Sequence, residues 1–269
     1  MTTRVKHNVR HAGMGAFQHG LGRVRIGVLI CVLIGVVGLL FPPFHGEIWA
    51  NDIQLSGNLT QEEFEDFSRE AGLAISYLPL APAEPLGILG FDAGVETTLV
   101  DIRENGAYWK KATKGEPPRY LFIPKIHVQK GLPFGIDVGV VYSKISQINT
   151  TLLGGEVKWA ALSGNALLPA VAVRGSYTRL SGASEVDIET IGADLSVSKG
   201  FAFITPYAGI GQVWVRSAEH SRAAALEDAR LSQFKTYAGV KVTFVVINFV
   251  GEVHYAKIPI YTTRLNLAF

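Results

Sequence analysis

Cysteine is nearly missing from this 269-residue chain: the single one, Cys31, lies inside its one long apolar run, residues 26–40. That run is 15 residues long, against the roughly 20 a helix needs to cross a hydrocarbon core. It follows Arg4, Lys6, Arg10, Arg23 and Arg25 and precedes Pro42 and Pro43. It therefore reads as the apolar region of a secretion signal. Ile48 and Ala50 occupy the −3 and −1 positions of a cleavage site, which predicts a mature chain starting at Asn51 and an expendable segment 1–50. Without cysteine that chain has neither a disulfide framework nor a thiolate metal site. A lipid-anchored N-terminus is also excluded, because Ile30 precedes Cys31 where a small residue is required.

Histidine and net charge are scarce as well. Beyond residue 50 only His127, His220 and His254 remain, too few to predict a metal centre. Loss of five basic groups and Glu47 with the leader turns the formal net charge from +2 to −2, which argues against nucleic acid as a partner. "GGEVKWA" lacks the Lys-Ser/Thr of a phosphate-binding loop, and no cofactor is expected.

What the chain has in abundance is alternation. Residues 51–85 form a lead-in, in which Thr60 and Glu63 make a capping-box signature and Gly72 a C-terminal stop. The short helix so defined places Phe64, Phe67 and Ala71 on one face, suited to lying against the periplasmic rim of a barrel or to entering its lumen as a plug. From residue 86 the period becomes 2 and remains so. Apolar Leu89, Phe91, Ala93 and Val95 alternate with Gly90, Asp92, Gly94 and Glu96, and Ile126 and Val128 with Lys125, His127 and Gln129. The pattern recurs to residue 269 in ten candidate strands. A soluble sandwich also alternates, but here longer connections (101–119, 146–150, 180–186, 217–231) take turns with shorter ones (131–133, 163–168, 199–202, 246), as in up-and-down membrane barrels, and only the short closing hairpin 257–259 breaks the pattern. Aromatic residues near the strand ends, among them Tyr120, Tyr142, Trp159 and Trp214, suit interfacial girdles.

The last nine residues, "YTTRLNLAF", resemble the closing strand of bacterial outer-membrane β-barrel proteins, where a terminal Phe preceded by apolar residues at alternate positions is the recognition signal for the barrel assembly machinery. Tyr261, Leu265, Leu267 and Phe269 match it. The segment "YLPLAPAEPLGILGFDAGVE" is similar to one in uncharacterised barrels of this kind. The resemblance implies an all-β antiparallel up-and-down transmembrane barrel of about ten strands over residues 86–269. It also implies residence in the outer membrane of a Gram-negative bacterium and contact with its lipids.

The inward residues would then be Asp92, Glu96, Lys125, Asp137, Glu156, Lys158, Arg174, Asp194, Lys241, Glu252, His254 and Arg264. Lining an open lumen, they would set the selectivity of a narrow, porin-like channel or transporter for an unidentified small or hydrophobic solute. Paired, they would fill a non-conducting structural or adhesive barrel, which ten strands favour because wide aqueous channels need about 16. A lipid-modifying enzyme needs a nucleophile beside an oriented base. Glu252 and His254, with Arg264 and Asn266 nearby, are the best acid–base candidate but suit a lumen ion-pair network better, so no enzymatic activity is expected. The 101–119 loop, with Tyr108 and Trp109 beside Lys110 and Lys111, is a candidate for contact with lipid phosphates at the cell surface. Deleting Phe269 is expected to impair barrel assembly in cells, measured as loss of the faster-migrating unboiled band on a denaturing gel. Normal insertion of the truncated chain would show that the terminal motif is not the signal.

Overall fold

The computed structural model describes residues 53–102, 106–113, 117, 120–145, 150–221 and 226–269. The expected leader and its cleavage site lie outside them, as do residues 146–149 and part of the 101–119 loop. Ten antiparallel strands close into a barrel in which each pairs only with its neighbours in sequence and β1 pairs with β10. They are β1 Phe91–Asp101, β2 Tyr120–Gly131, β3 Ile136–Ile145, β4 Thr150–Ser163, β5 Ala170–Ser181, β6 Val186–Ser198, β7 Ile204–Glu219, β8 Ala229–Phe244, β9 Ile247–Tyr255 and β10 Pro259–Ala268. The closing seam runs from Asp92↔Ala268 to Val100↔Ile260. At its end Phe91 and Phe269 exchange two backbone hydrogen bonds (2.7 and 3.0 Å), so that no strand edge is left open.

Burial is inverted relative to a soluble sheet protein. Ile126 is 59% exposed and Leu153 58%, whereas Asp137 is 0% exposed and Lys158 and Arg264 1%. Every strand of the barrel turns its apolar side outward. A surface of this kind running round the whole wall suits surrounding lipid better than a single protein partner. No described helix is long and apolar enough to cross a membrane; the crossing elements of this fold are strands.

Two strands extend into the expected 217–231 loop: β7 reaches Glu219 and β8 begins at Ala229, which shortens that loop, while β6 begins at Val186. The outward residues at these strand ends, Asp187, Glu189, Arg216 and Arg230, are charged. Yet their backbones stay paired across β6, β7 and β8, because a strand continuing beyond an apolar belt into water needs no apolar side chain.

Helix α1, Gln61–Ile75, has the expected capping box, with Thr60 Oγ1 accepting from the Glu63 N–H and the Glu63 carboxylate from the Thr60 N–H. It does not stop at Gly72. A Cβ there would lie 2.4 Å from Val215 Cγ1, so Gly72 is a packing glycine that lets the helix approach β7. Nor does α1 lie against the rim at the short-turn end, the expected periplasmic side. It is wedged inside the barrel mouth, at the end carrying the β1–β2, β5–β6, β7–β8 and β9–β10 connections. Its Phe64, Phe67, Leu73 and Ile75 share a core with the inward Val100, Ile123, Leu152, Ile188, Val213 and Ile260. The expected 101–119 loop contains a second short helix, α2, Gly106–Ala112. Residues 76–86 add no strand to the wall, so the barrel has ten strands.

At the opposite end, β8 and β9 are joined by a two-residue turn in which Val245 has φ +60° and is 95% exposed. A β-branched side chain is strained there, at a cost of about 1–3 kcal/mol, and no burial offsets it. Val245→Gly is expected to raise the unfolding free energy by about 1 kcal/mol, the relieved strain less the added chain entropy of glycine, in urea titrations of the folded barrel. A loss of stability would contradict the assigned turn.

Candidate functional site

The barrel interior is filled by the chain's own N-terminal segment. After α1, "YLPLAPAEPL" places Pro79, Pro82 and Pro85 three residues apart. Such spacing favours an extended chain without internal hydrogen bonds, and proline brings no N–H to satisfy. Six backbone groups of this segment find partners on the wall. The N–H groups of Leu80, Ala83 and Leu86 donate to Glu252 Oε2 (3.1 Å), Ser198 Oγ (3.0 Å) and Asp137 Oδ1 (3.1 Å). The carbonyls of Pro79, Pro82 and Glu84 accept from Arg264 (3.4 Å) and from Lys158 Nζ (3.1 and 2.9 Å). Between these bonds Leu80 packs with Tyr207, Tyr237 and Val250, and Ala83 with Ala160, Ala170 and Ala172. The thread thus runs through the lumen from the mouth toward the turns at the far end.

The charged residues of inward parity are buried except for Lys241, and the register shows how they are neutralised. Glu96 stands between Arg264 and Lys125 on β10, β1 and β2, and its Oε1 accepts from Arg264 at 2.5 and 2.9 Å. Asp137 binds Lys158 at 2.9 Å and Glu156 binds Arg174 at 2.5 Å, while Gln129 donates to Glu156 at 3.0 Å. Asp92 accepts from Asn266 and lies 3.5 Å from His127 Nδ1. Lys241 also has inward parity but is only half-buried, opposite Thr205 and Val250 near the turns.

Lys235, absent from the expected set, pairs with Asp194 at 3.1 Å across the intervening β7. Its parity with Lys241 was the available signal. Gly211 makes the bridge possible, since a Cβ there would lie 2.1 Å from Asp194 Oδ1. Six acids, Asp92, Glu96, Asp137, Glu156, Asp194 and Glu252, are thereby matched in number by Lys125, Lys158, Arg174, Lys235, Lys241 and Arg264. Balanced charge, with four of the acids ion-paired to Lys158, Arg174, Lys235 and Arg264, is what a low-dielectric interior tolerates.

Glu252 and His254 do meet. The same carboxylate also accepts the Leu80 N–H, so the couple lies sealed beneath the thread. No group of three or more His, Cys, Asp or Glu side chains suited to a metal converges among the described residues.

The mouth is closed by a cap of α1, α2 and residues 53–56. Ile53 bridges Thr113, and Gln54 and Ser56 donate to the carbonyls of Ala112 (3.1 Å) and Lys111 (2.8 Å). Buried Glu70 on α1 accepts from the Tyr108 hydroxyl (2.5 Å) and the Trp109 indole (2.8 Å). Burial pushes its carboxyl above the ordinary range, against the two donors that hold it down. Lys111 reaches Glu63 (2.6 Å), Lys257 reaches Asp66 (2.6 Å) and Glu185 accepts the Leu55 N–H (2.5 Å). Of the residues expected to meet lipid phosphates, Tyr108, Trp109 and Lys111 are therefore engaged by the cap, while Lys110 is exposed. Of the terminal motif, Tyr261, Leu267 and Phe269 face outward and are exposed. Leu265 has the same parity but is covered, between Val95 and Phe249 in the register.

The fold and lumen together define a transmembrane β-barrel with an internal plug. No family model matches the sequence, and neither does any curated protein. Among solved structures the chain is similar to Neisserial surface protein A (TM-score 0.32, 8% identity, 66% of this chain and 94% of that one). It is also similar to Ail, the attachment invasion locus protein of Yersinia pestis, in complex with the heparin analogue sucrose octasulfate (0.29, 10%, 67% and 97%). A third is the KdgM porin in complex with disordered oligogalacturonate (0.33, 7%, 67% and 99%). Likeness at this level does not bear on what this chain binds or does.

Because Glu96 faces two cations and Arg264 one carboxylate, Glu96→Gln is expected to destabilise the barrel more than Arg264→Gln. The loss for Glu96→Gln is about 3–5 kcal/mol, the cost of unpairing buried charge, read from urea unfolding of the folded protein. The reverse order would show that Lys125 is neutralised by another group.

Proposed function

We propose that the chain resides in a bacterial outer membrane as a plugged β-barrel, closed in its resting state by residues 53–86. The observation that carries this reading is the thread: its backbone groups occupy the polar side chains that would otherwise line a pore. The outward apolar surface supports membrane residence, and the exposed aromatic end of β10 suits recognition by the barrel assembly machinery. Of the two roles open to such a barrel, a non-conducting structural or adhesive one agrees best with a lumen whose charges are paired and covered. A narrow channel for a small solute remains in gated form only, because a solute passes only after the cap leaves the mouth and the thread leaves the lumen. No enzymatic role is proposed, since Glu252 and His254 lie beneath Leu80.

In planar bilayers the intact protein is expected to be silent, whereas a chain lacking residues 53–86 should give small, discrete current steps. Ten strands enclose too little space for a wide pore even when empty. A large, stable conductance from the intact protein would overturn the plugged reading. Silence of a correctly folded deletion variant would eliminate the gated channel and leave the structural role.

A further inference from the structure

Outside the barrel, β5 to β8 carry a feature that the lumen does not explain. Near the capped end, the register aligns Arg179, Glu189, Arg216 and Arg230 in one row across the four strands. Two residues closer to the barrel's middle it aligns Tyr177, Ile191, Trp214 and Ser232. An open groove of about 490 Å³ lies against both rows.

Arg216 and Arg230 stand directly opposite each other on the same face. Like charges in that relation destabilise a strand pair, and the carboxylates nearby, Glu189 opposite Arg216 and Asp228, relieve Arg216 in part but not Arg230. Asp228 lies 3.7 Å from Arg216 with both side chains about half exposed. Glu189 is engaged on its other side by Arg179 at 3.6 Å. Arg230 has no ion-pair partner among the described residues.

We propose that this groove binds the phosphorylated head group of an outer-leaflet lipid. A phosphate bridging the Arg216 and Arg230 guanidiniums would turn their repulsion into two charge-assisted contacts. The groove is continuous with the apolar wall: Trp214 (47% exposed) lies immediately beneath Arg216, and Ile191 (56%) stands beside it on β6. A ligand with an anion above and an apolar body below matches that order, whereas a free anion would leave the wall unused. The assignment to the outer leaflet rests on the outer-membrane reading, in which the capped end faces out of the cell.

The test uses the full chain purified from membranes in neutral detergent, with retained lipid measured by native mass spectrometry. The probes are phosphatidic acid, a phosphomonoester, and phosphatidylcholine, whose phosphate is masked by a cation. The protein is expected to retain phosphatidic acid preferentially. Arg216→Ala/Arg230→Ala should lower that retention about tenfold, corresponding to about 1.4 kcal/mol, while leaving phosphatidylcholine unchanged. Equal retention of the two lipids, an unchanged variant, or complete displacement by millimolar inorganic phosphate would each overturn the proposal. Boiled and unboiled samples are run beside each other on a denaturing gel. Loss of the mobility difference in the unaltered protein would count against the membrane-barrel reading itself, whereas a folded barrel without lipid preference counts against this site alone.

Discussion

The seam between β1 and β10 is the constraint from which the rest of the structure follows. Backbone N–H and C=O groups that face lipid have no water to bond, so a sheet in a bilayer must close on itself or leave costly unpaired edges. Closure from Asp92↔Ala268 to Val100↔Ile260, finished by the exchange between Phe91 and Phe269, removes both edges. It also fixes which side of each strand faces outward. The alternating sequence then places its apolar side against lipid and its charges in the interior.

An interior assembled in this way creates a second obligation. A barrel of ten strands encloses charged side chains with little water, and buried charge is tolerated only when paired and hydrogen-bonded. Wall-to-wall pairs such as Glu96 with Arg264 and Asp194 with Lys235 meet part of that need. The thread meets more of it. Its N–H groups give donors to Glu252 and Asp137, and its carbonyls give acceptors to Lys158 and Arg264. The plug is thus part of the electrostatic structure of the barrel as well as an obstruction. The cap holds it in place through bonds from α1 to α2 and to the β9–β10 connection, so movement of the plug is coupled to the order of those connections.

The outer wall obeys the complementary rule. Below the capped end its side chains are apolar because lipid surrounds them. Above that level the strands continue with Asp187, Glu189, Arg216 and Arg230. Where the two zones meet on β5 to β8, a row holding Tyr177, Ile191 and Trp214 lies under a charged one. That order matches the cross-section of a lipid, whose anionic head lies above its apolar chains.

The sequence by itself determined the strand number and the direction of each side chain, because period-2 alternation depends only on local backbone geometry. That is why Glu96, Lys158 and Arg264 were identifiable as interior residues without coordinates, and why Lys235, of the same parity as Lys241, was legible though overlooked. The capping box of α1 was equally local. Tertiary structure decided everything that needed two distant segments to meet. Residues 76–86 have neither a helical nor a strand period, and their partners lie up to 185 positions away in the chain. Gly72 looked like a helix stop until the approach of Val215 gave it a packing role. The 101–119 loop looked free until α1 occupied its aromatic residues. The pairing of Arg216 with Arg230 depends on the register of β7 and β8, which alternation leaves open to shifts of two residues and only the closed, fully bonded barrel selects.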